Sequence, residues 1–157
     1  RPHTLVTGMA RIASGVRYKL YRHDGVRYGP ETHEAGIDLN APVLFKPCGT
    51  PWPEPSWIAS DADYVDYITE LMGGFAIPPF LKERRKGLRY LVAGTRLNRD
   101  TVRMILAEFI FGAAQPAGWV MIAEPNDKER RFCARLGLEL VEADVHELAG
   151  LAEAAAA

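Results

Sequence analysis

The chain has 157 residues and a mass of 17.4 kDa, which is enough for one domain with its own core and too little for two ordinary ones. Its 19 Lys and Arg residues against 20 Asp and Glu residues give a net charge of -1, so the basic excess of a general nucleic-acid binder is absent. No apolar run reaches the roughly 20 residues that span a bilayer. Two cysteines, Cys48 and Cys133, provide neither a disulfide framework nor a four-thiolate zinc site. We therefore expect a cytoplasmic protein with no membrane contact and no metal site.

The first 41 residues favour strands and turns. Residues 3–7 predict a strand, and apolar residues alternate with polar ones on both sides of Asp24-Gly25. That pair is typical of a tight hairpin turn, since glycine tolerates the positive φ that the turn needs. The polar stretch 29–41 predicts a loop, so we expect an irregular hairpin region here.

The middle of the chain predicts one strand and one helix. Residues 42–46 form a strand candidate, and the prolines that follow predict an extended connection that joins no helix or central ladder. Ser60 with Asp63 predicts a helix N-terminus, and glycines end that helix at 73–74. The highly charged stretch 81–87 predicts a solvated surface loop.

From residue 88 onward, short apolar runs alternate with helical patterns. The runs predict buried strands at 88–93, 119–122 and 138–141. Capping residues predict where the helices begin: Asn98 or Asp100 for the first, Asn126 with Glu129 for the second, and Asp144 with Glu147 for the third. Strand and helix alternation with short connections indicates parallel strands joined by right-handed crossovers.

The order of these segments is similar to that of a known family. Phe45-Lys46-Pro47-Cys48-Gly49-Thr50 is followed by the segment from Trp57 to Tyr64, then by Tyr90 to Leu97, and the chain closes with Val120-Met121-Ile122 and a strand-Asp-helix ending. Over roughly residues 43–151 this resembles the bacterial sirtuin-like domain, a nicotinamide-dinucleotide-binding Rossmann variant. The resemblance implies one α/β domain over residues 1–157. Its Rossmann-like part (42–151) would hold a mostly parallel sheet with helices on both faces, after the hairpin region (1–41) and before a tail (152–157).

The resemblance also implies site residues and NAD as the cofactor. Cys48 stands where the family has its catalytic histidine, and a cysteine with a depressed pKa can act as a nucleophile or base. Gly94 and Thr95 agree with the family turn that contacts the cofactor, and Arg96 replaces a small serine there. Glu124 follows a strand, where a carboxylate can bind a ribose hydroxyl, and Asp144 stands at the adenine side.

Each of these residues also has a purely structural explanation. Cys48 fits a small buried residue in a tight loop, and Gly94-Thr95 turns a strand into a helix without any ligand. Arg96 can pair with an acidic side chain. Glu124 suits a solvated loop, and Asp144 suits a helix cap.

The departures from the family favour a non-catalytic protein. The glycine-rich turn that holds the pyrophosphate is missing. Thr7 matches the family strand that ends in threonine-x-asparagine-x-aspartate, but the asparagine and the aspartate are absent.

Two hypotheses follow. The first is a degenerate domain that serves as a structural or protein-interaction module of a larger protein or assembly, of the bacterial-defence type. The alternative is an NAD-binding or NAD-hydrolysing enzyme, and with less support a protein deacylase, whose glycine-rich turn lies outside this chain.

Without the strand that carries that turn, the strands at Val43 and Leu91 have an open edge. We expect another protein chain or an upstream segment to complete the sheet. Within the chain, residues 3–7 and the Tyr18 hairpin are the candidates.

Overall fold

The computed structural model describes residues 1–10 and 15–156, with side chains up to residue 150. These residues form five α-helices and nine strands in three sheets, which confirms a mixed α/β class. They divide into two compact units, Arg1–Glu83 and Arg84–Ala157. The expected single, mostly parallel sheet is therefore replaced by three separate sheets, one of which is wholly parallel.

The first unit contains a four-stranded mixed sheet. Its strands are β1 (His3–Gly8), β2 (Tyr18–His23), β3 (Tyr28–Thr32) and β4 (Val43–Lys46), in the order β3-β2-β1-β4. β1 pairs antiparallel with β2 and parallel with β4. The predicted strands and hairpin are confirmed, and the 3–7 segment occupies one side of the Val43 strand.

The predicted loop at 29–41 is wrong over its first residues. Residues 29–32 continue β3, where Leu20 pairs with Thr32 and Tyr21 with Glu31. Backbone pairing with the outer edge of β2 explains this, because it satisfies the N–H and C=O groups of a polar segment as well as those of an apolar one.

A short ribbon and one helix complete the first unit, and a second helix begins at its end. The ribbon strands β5 (Gly49–Thr50) and β6 (Ser56–Trp57) flank the proline-rich turn. Helix α1 (Asp61–Met72) begins at the predicted Ser60–Asp63 capping box and ends before Gly73. Helix α2 (Pro79–Arg84) occupies part of the predicted surface loop, since a proline in the first turn has its φ already set for a helix.

The second unit follows the predicted alternation of strands and helices. Its elements are β7 (Tyr90–Val92), α3 (Asp100–Phe109), β8 (Gly118–Met121), α4 (Asp127–Leu136), β9 (Leu138–Val141) and α5 (Val145–Ala156). The strands are parallel in the order β7-β8-β9. Among the described residues, β7 lies at the end of its sheet with β8 as its one partner strand.

Helices α3 and α4 cover the same face of this sheet, contrary to the expectation of helices on both faces. The core joins Val120 and Leu138 of the sheet to Phe132 and Cys133 of α4, with Leu106 of α3 packed against it. The strand order runs in one direction, so successive right-handed crossovers return over one side. Alternate strand residues on the other face remain exposed: Leu91, Trp119 and Val141.

Two of the three predicted helix starts are confirmed. Asn126 and Glu129 form a reciprocal capping box at α4, and the Asp144 carboxylate accepts hydrogen bonds from the first turn of α5. At α3 the prediction is wrong, because the N-cap is Arg99 and makes no side-chain capping bond. Among the described residues, no helix combines the length and the apolarity that crossing a membrane requires.

Candidate functional site

The carboxyl ends of the three parallel strands meet at a crevice of about 300 Å³, here called the carboxyl-edge crevice. Residues 94–96 follow β7, and residues 121–123 comprise the last residue of β8 and the two that follow it. Residues 143–146 comprise the end of the connection after β9 and the first residues of α5. Ligands of open α/β sheets bind outside the carboxyl ends of the strands, because the loops there converge and the helix N-termini point toward them. This crevice is therefore the first candidate site.

Four of the six predicted site residues line the carboxyl-edge crevice: Gly94, Thr95, Arg96 and Asp144. Glu124 joins them through its backbone, because its carbonyl oxygen accepts a hydrogen bond from Nη2 of Arg96 at 3.1 Å. Cys48 belongs to the first unit and forms part of a separate cluster.

Arg96 is held by Glu129, the N3 residue of α4. Nε and Nη2 of Arg96 donate to the two carboxylate oxygens at 3.2 and 3.1 Å, a bidentate pair. The Glu129 side chain is completely buried. It also accepts hydrogen bonds from the backbone N–H groups of Leu97 at 2.9 Å and Asn126 at 3.0 Å. One carboxylate thus ties the loop after β7 to the start of α4.

These donors keep Glu129 ionised inside the protein. Burial by itself raises the pKa of Glu129, but hydrogen bonds from Arg96 and from the N–H groups of Asn126 and Leu97 outweigh it, and the pKa lies below its ordinary value. The ion pair also neutralises much of the Arg96 charge. The crevice consequently offers less positive potential than the arginine alone suggests.

Asp144 acts as a helix cap at the start of α5. Its Oδ1 accepts from the N–H groups of His146 at 2.7 Å and Glu147 at 3.0 Å. Those bonds hold the pKa of Asp144 below its ordinary value. The Glu147 carboxylate accepts in return from the Asp144 N–H at 3.3 Å, which completes a capping box.

The turn after β7 remains open. Gly94 has a φ of +70°, the left-handed region that favours glycine, and a Cβ at this position meets nothing within 4 Å. Gly94 and Thr95 are both exposed. Thr95 supplies a hydroxyl, Arg96 its remaining N–H groups, and His146 an imidazole. Such a set suits binding of a phosphate or hydroxyl-rich group.

Cys48 follows β4, close to where the parallel neighbour β1 also ends. The Tyr64 hydroxyl lies 3.6 Å from its Sγ. Tyr67 is fully buried, its hydroxyl has no hydrogen-bond partner among the described residues, and burial raises its pKa well above the ordinary value. A tyrosine hydroxyl therefore faces the thiol.

The approach of β1 to the segment after β4 depends on glycine. A Cβ at Gly8 would lie 1.8 Å from the Pro47 carbonyl oxygen and 3.2 Å from Cε2 of Tyr67. Beside it, the Thr7 and Ser56 hydroxyls lie 3.0 Å apart in a buried hydrogen bond. This cluster is packed as protein interior.

Sequence reasoning missed the pairing of Glu129 with Arg96. The capping-box spacing predicted Glu129 as an α4 residue that binds its own helix terminus, and that part is confirmed. The contact with Arg96 joins the loop after β7 to the first turn of α4, which is distant in sequence, and no local spacing encodes it. One signal was present. When a capping-box carboxylate lies on the side of its helix that faces the sheet, it is buried, and a buried carboxylate needs a cation beside it.

Comparison with protein-family models, with curated proteins and with solved structures gave no match. Among the described residues, no group of three or more His, Cys, Asp or Glu side chains is placed to hold a metal ion.

Proposed function

We propose that the chain is a degenerate, cytoplasmic sirtuin-like domain that works as a structural or protein-interaction module of a larger assembly rather than as a catalyst. One observation carries the proposal: three of the polar side chains at the predicted site positions are engaged in structural contacts. Arg96 is paired with Glu129, Asp144 caps α5, and Cys48 contacts a tyrosine hydroxyl. General acid–base or nucleophilic chemistry needs a group within reach of a substrate and an activating neighbour.

The second unit is the part that we assign to the Rossmann-like portion of the family. The succession β7-α3-β8-α4-β9 with parallel strands supports this assignment, since it has the repeating unit of half a doubly wound sheet.

Release of nicotinamide from NAD tests the proposal. We expect the purified chain to release no more nicotinamide than a blank, at any NAD concentration up to the millimolar range. Cys48→Ala should give the same result. Turnover by the wild-type chain that Cys48→Ala abolishes would overturn the proposal and make Cys48 catalytic.

The carboxyl-edge crevice favours a second candidate function, the binding of NAD without turnover. Its place at the strand ends and its open Gly94-Thr95 turn support this alternative. At about 300 Å³ it is at the small end of ligand pockets, so the residues fit one nucleotide half better than a whole dinucleotide. Bound NAD supplies a cleavable nicotinamide–ribose bond; Thr95 and Arg96 would only hold and orient it.

Calorimetric titration separates the two candidates. If the crevice binds the cofactor, NAD and AMP should bind with similar affinity, and Thr95→Trp should abolish both by filling the space. Thr101→Trp is the matched control, because Thr101 is exposed on α3 and does not line the crevice. If neither ligand gives a heat of binding, this chain does not bind NAD, and the interaction module is the remaining candidate function.

A further inference from the structure

A second cleft of the second unit lies between α3 and α4 and has a volume of about 480 Å³; we call it the α3–α4 basic cleft. It is lined by four cations, one carboxylate and one aromatic ring: Arg103, Lys128, Arg131, Arg135, Asp100 and Phe132. Three of the cations lie on α4 at spacings of three and four residues, so they share one face of that helix. At a rise of about 1.5 Å per residue they extend over about 10 Å.

The inner end of the cleft is organised by Arg103. This side chain is buried, and it donates to the backbone carbonyl of Leu97 and to the Asp100 carboxylate. Lys128 reaches the same carboxylate at 3.3 Å. Hydrogen bonds from Arg103 and Lys128 lower the pKa of Asp100, so it stays ionised. The one carboxylate of the cleft is therefore already shared by two cations.

Arg131 and Arg135 are left without a carboxylate partner among the described residues. Their neighbour Arg130 differs, because it pairs with Glu142 at 2.8 Å. The Arg135 guanidinium lies 5.4 Å from the centre of the Phe132 ring, a cation–π contact that restricts its position. Two exposed guanidinium groups thus sit one helical turn apart beside a cleft with an excess of positive charge.

We propose that the α3–α4 basic cleft binds an acidic segment of a partner protein, whose carboxylates pair with Arg131 and Arg135. The planar guanidinium matches a carboxylate through two parallel hydrogen bonds, and one-turn spacing matches acidic side chains three or four residues apart. This inference deepens the proposed interaction function and depends on it.

A peptide fits this surface better than a nucleic acid does. Over about 10 Å, only about three cations would meet phosphates, well below the six to ten contacts of a strong electrostatic binder. A short acidic segment needs no more than the two guanidinium groups of Arg131 and Arg135.

The test uses a fluorescein-labelled peptide of ten glutamates and its fluorescence anisotropy at low salt. We expect wild-type chain to bind it, with affinity falling as salt is added. Arg131→Gln with Arg135→Gln should weaken binding about tenfold, and each single variant about threefold. Arg130→Gln is the matched control on the same helix and should change affinity less than about twofold.

Several results would overturn the proposal. These are no peptide binding by the wild-type chain, or equal losses in the Arg130→Gln control. A third is tighter, Arg131-dependent binding of a single-stranded oligonucleotide, which would make the surface a nucleic-acid site. Equal affinity for inorganic triphosphate would make it a small-anion site. Thermal unfolding of each variant confirms that it folds. The nicotinamide assay is independent of peptide binding. A negative peptide result therefore rejects this binding site, whereas only nicotinamide release rejects the non-catalytic function.

Discussion

Tyr67 in the first unit and Glu129 in the second are both completely buried, but their polar atoms are treated in opposite ways. Glu129 receives hydrogen bonds from Arg96 and from two backbone N–H groups. The Tyr67 hydroxyl has no partner among the described residues. The Glu129 carboxylate holds the segments around it together by hydrogen bonds. The Tyr67 ring contributes apolar packing, and burying its hydroxyl without a partner destabilises the fold.

The difference concerns what each candidate site can tolerate. Around the carboxyl-edge crevice, geometry depends on charge, because removing Glu129 takes from Arg96 its ion-pair partner and leaves two backbone N–H groups without their acceptor. Around Cys48, geometry depends on shape, because Gly8 and Pro47 are in close contact and Tyr67 fills the space beside them. Substitutions should therefore affect the two regions through different physical terms.

The largest effect is expected for Glu129→Gln. The amide keeps the shape but loses the charge-assisted bonds and turns one acceptor into a donor, so we expect a loss of about 3 kcal/mol in the free energy of unfolding. Urea denaturation followed by circular dichroism measures it. Glu139→Gln is the control, since Glu139 is exposed on β9. Hydrogen exchange should show lost protection in α4 and not in β1; a loss confined to β1 would contradict the comparison.

Gly8→Ala tests the dependence on shape and should cost about 2 kcal/mol, since the new methyl group overlaps the Pro47 carbonyl and must push the chain apart. Gly29→Ala in the same sheet is the control, because its nearest contact, the Arg22 carbonyl oxygen, is 3.8 Å away. Denaturant midpoints of the two variants give the comparison. Equal stability of both would show that β1 does not approach Pro47 this closely.

Acidification offers a milder way to weaken the charged region. The pKa of Glu129 is lowered in the folded state from an ordinary value of 4.5. Its stabilising contribution is therefore present above about pH 4.5 and is lost as pH falls through the lower, folded pKa. The stability gap between wild-type and Glu129→Gln chains should narrow over the acid range below about pH 4.5. A gap that stays constant over this range would mean that the Glu129 carboxylate does not titrate as described.

Tyr67→Phe should have the smallest effect on stability, and any change should stabilise the fold rather than destabilise it. Removing a buried hydroxyl without a partner leaves stability unchanged or raises it by up to about 1 kcal/mol. Leu71→Ala, in the same helix and also buried, is the contrasting control and should destabilise by about 3 kcal/mol. A marked loss in Tyr67→Phe, measured by thermal unfolding, would reveal a hydrogen bond to the hydroxyl and remove the contrast with Glu129.

Local signals predicted much of this fold because they act over a few residues. Ser60 with Asp63 and Asn126 with Glu129 form capping boxes within one turn, and both are present. The extension of β3 over residues 29–32 could not be predicted from their polar character, since an edge of β2 elsewhere in the chain decides it. The side of the sheet that α3 and α4 share depends on strand order, which no single segment contains.

The candidate site was predictable in position but not in its bonding. Gly94, Thr95 and Asp144 were expected at strand ends, and they do line one crevice. The pairing of Arg96 with Glu129 was not predicted, because it depends on how the loop after β7 and the start of α4 fold onto the sheet edge. The same holds for the α3–α4 basic cleft, where Arg103 and the α4 cations come from different helices.

The position of β1 has a consequence for synthesis on the ribosome. β1 can pair with β2 as soon as both strands have emerged. The other edge of β1 stays unpaired until β4 emerges, since Thr4 pairs with Val43, the first residue of β4. Until then, a strand containing the apolar residues Leu5 and Val6 presents an open edge. A nascent chain stopped between the hairpin and β4 should aggregate more readily than one stopped after Lys46, because only the second can close that edge.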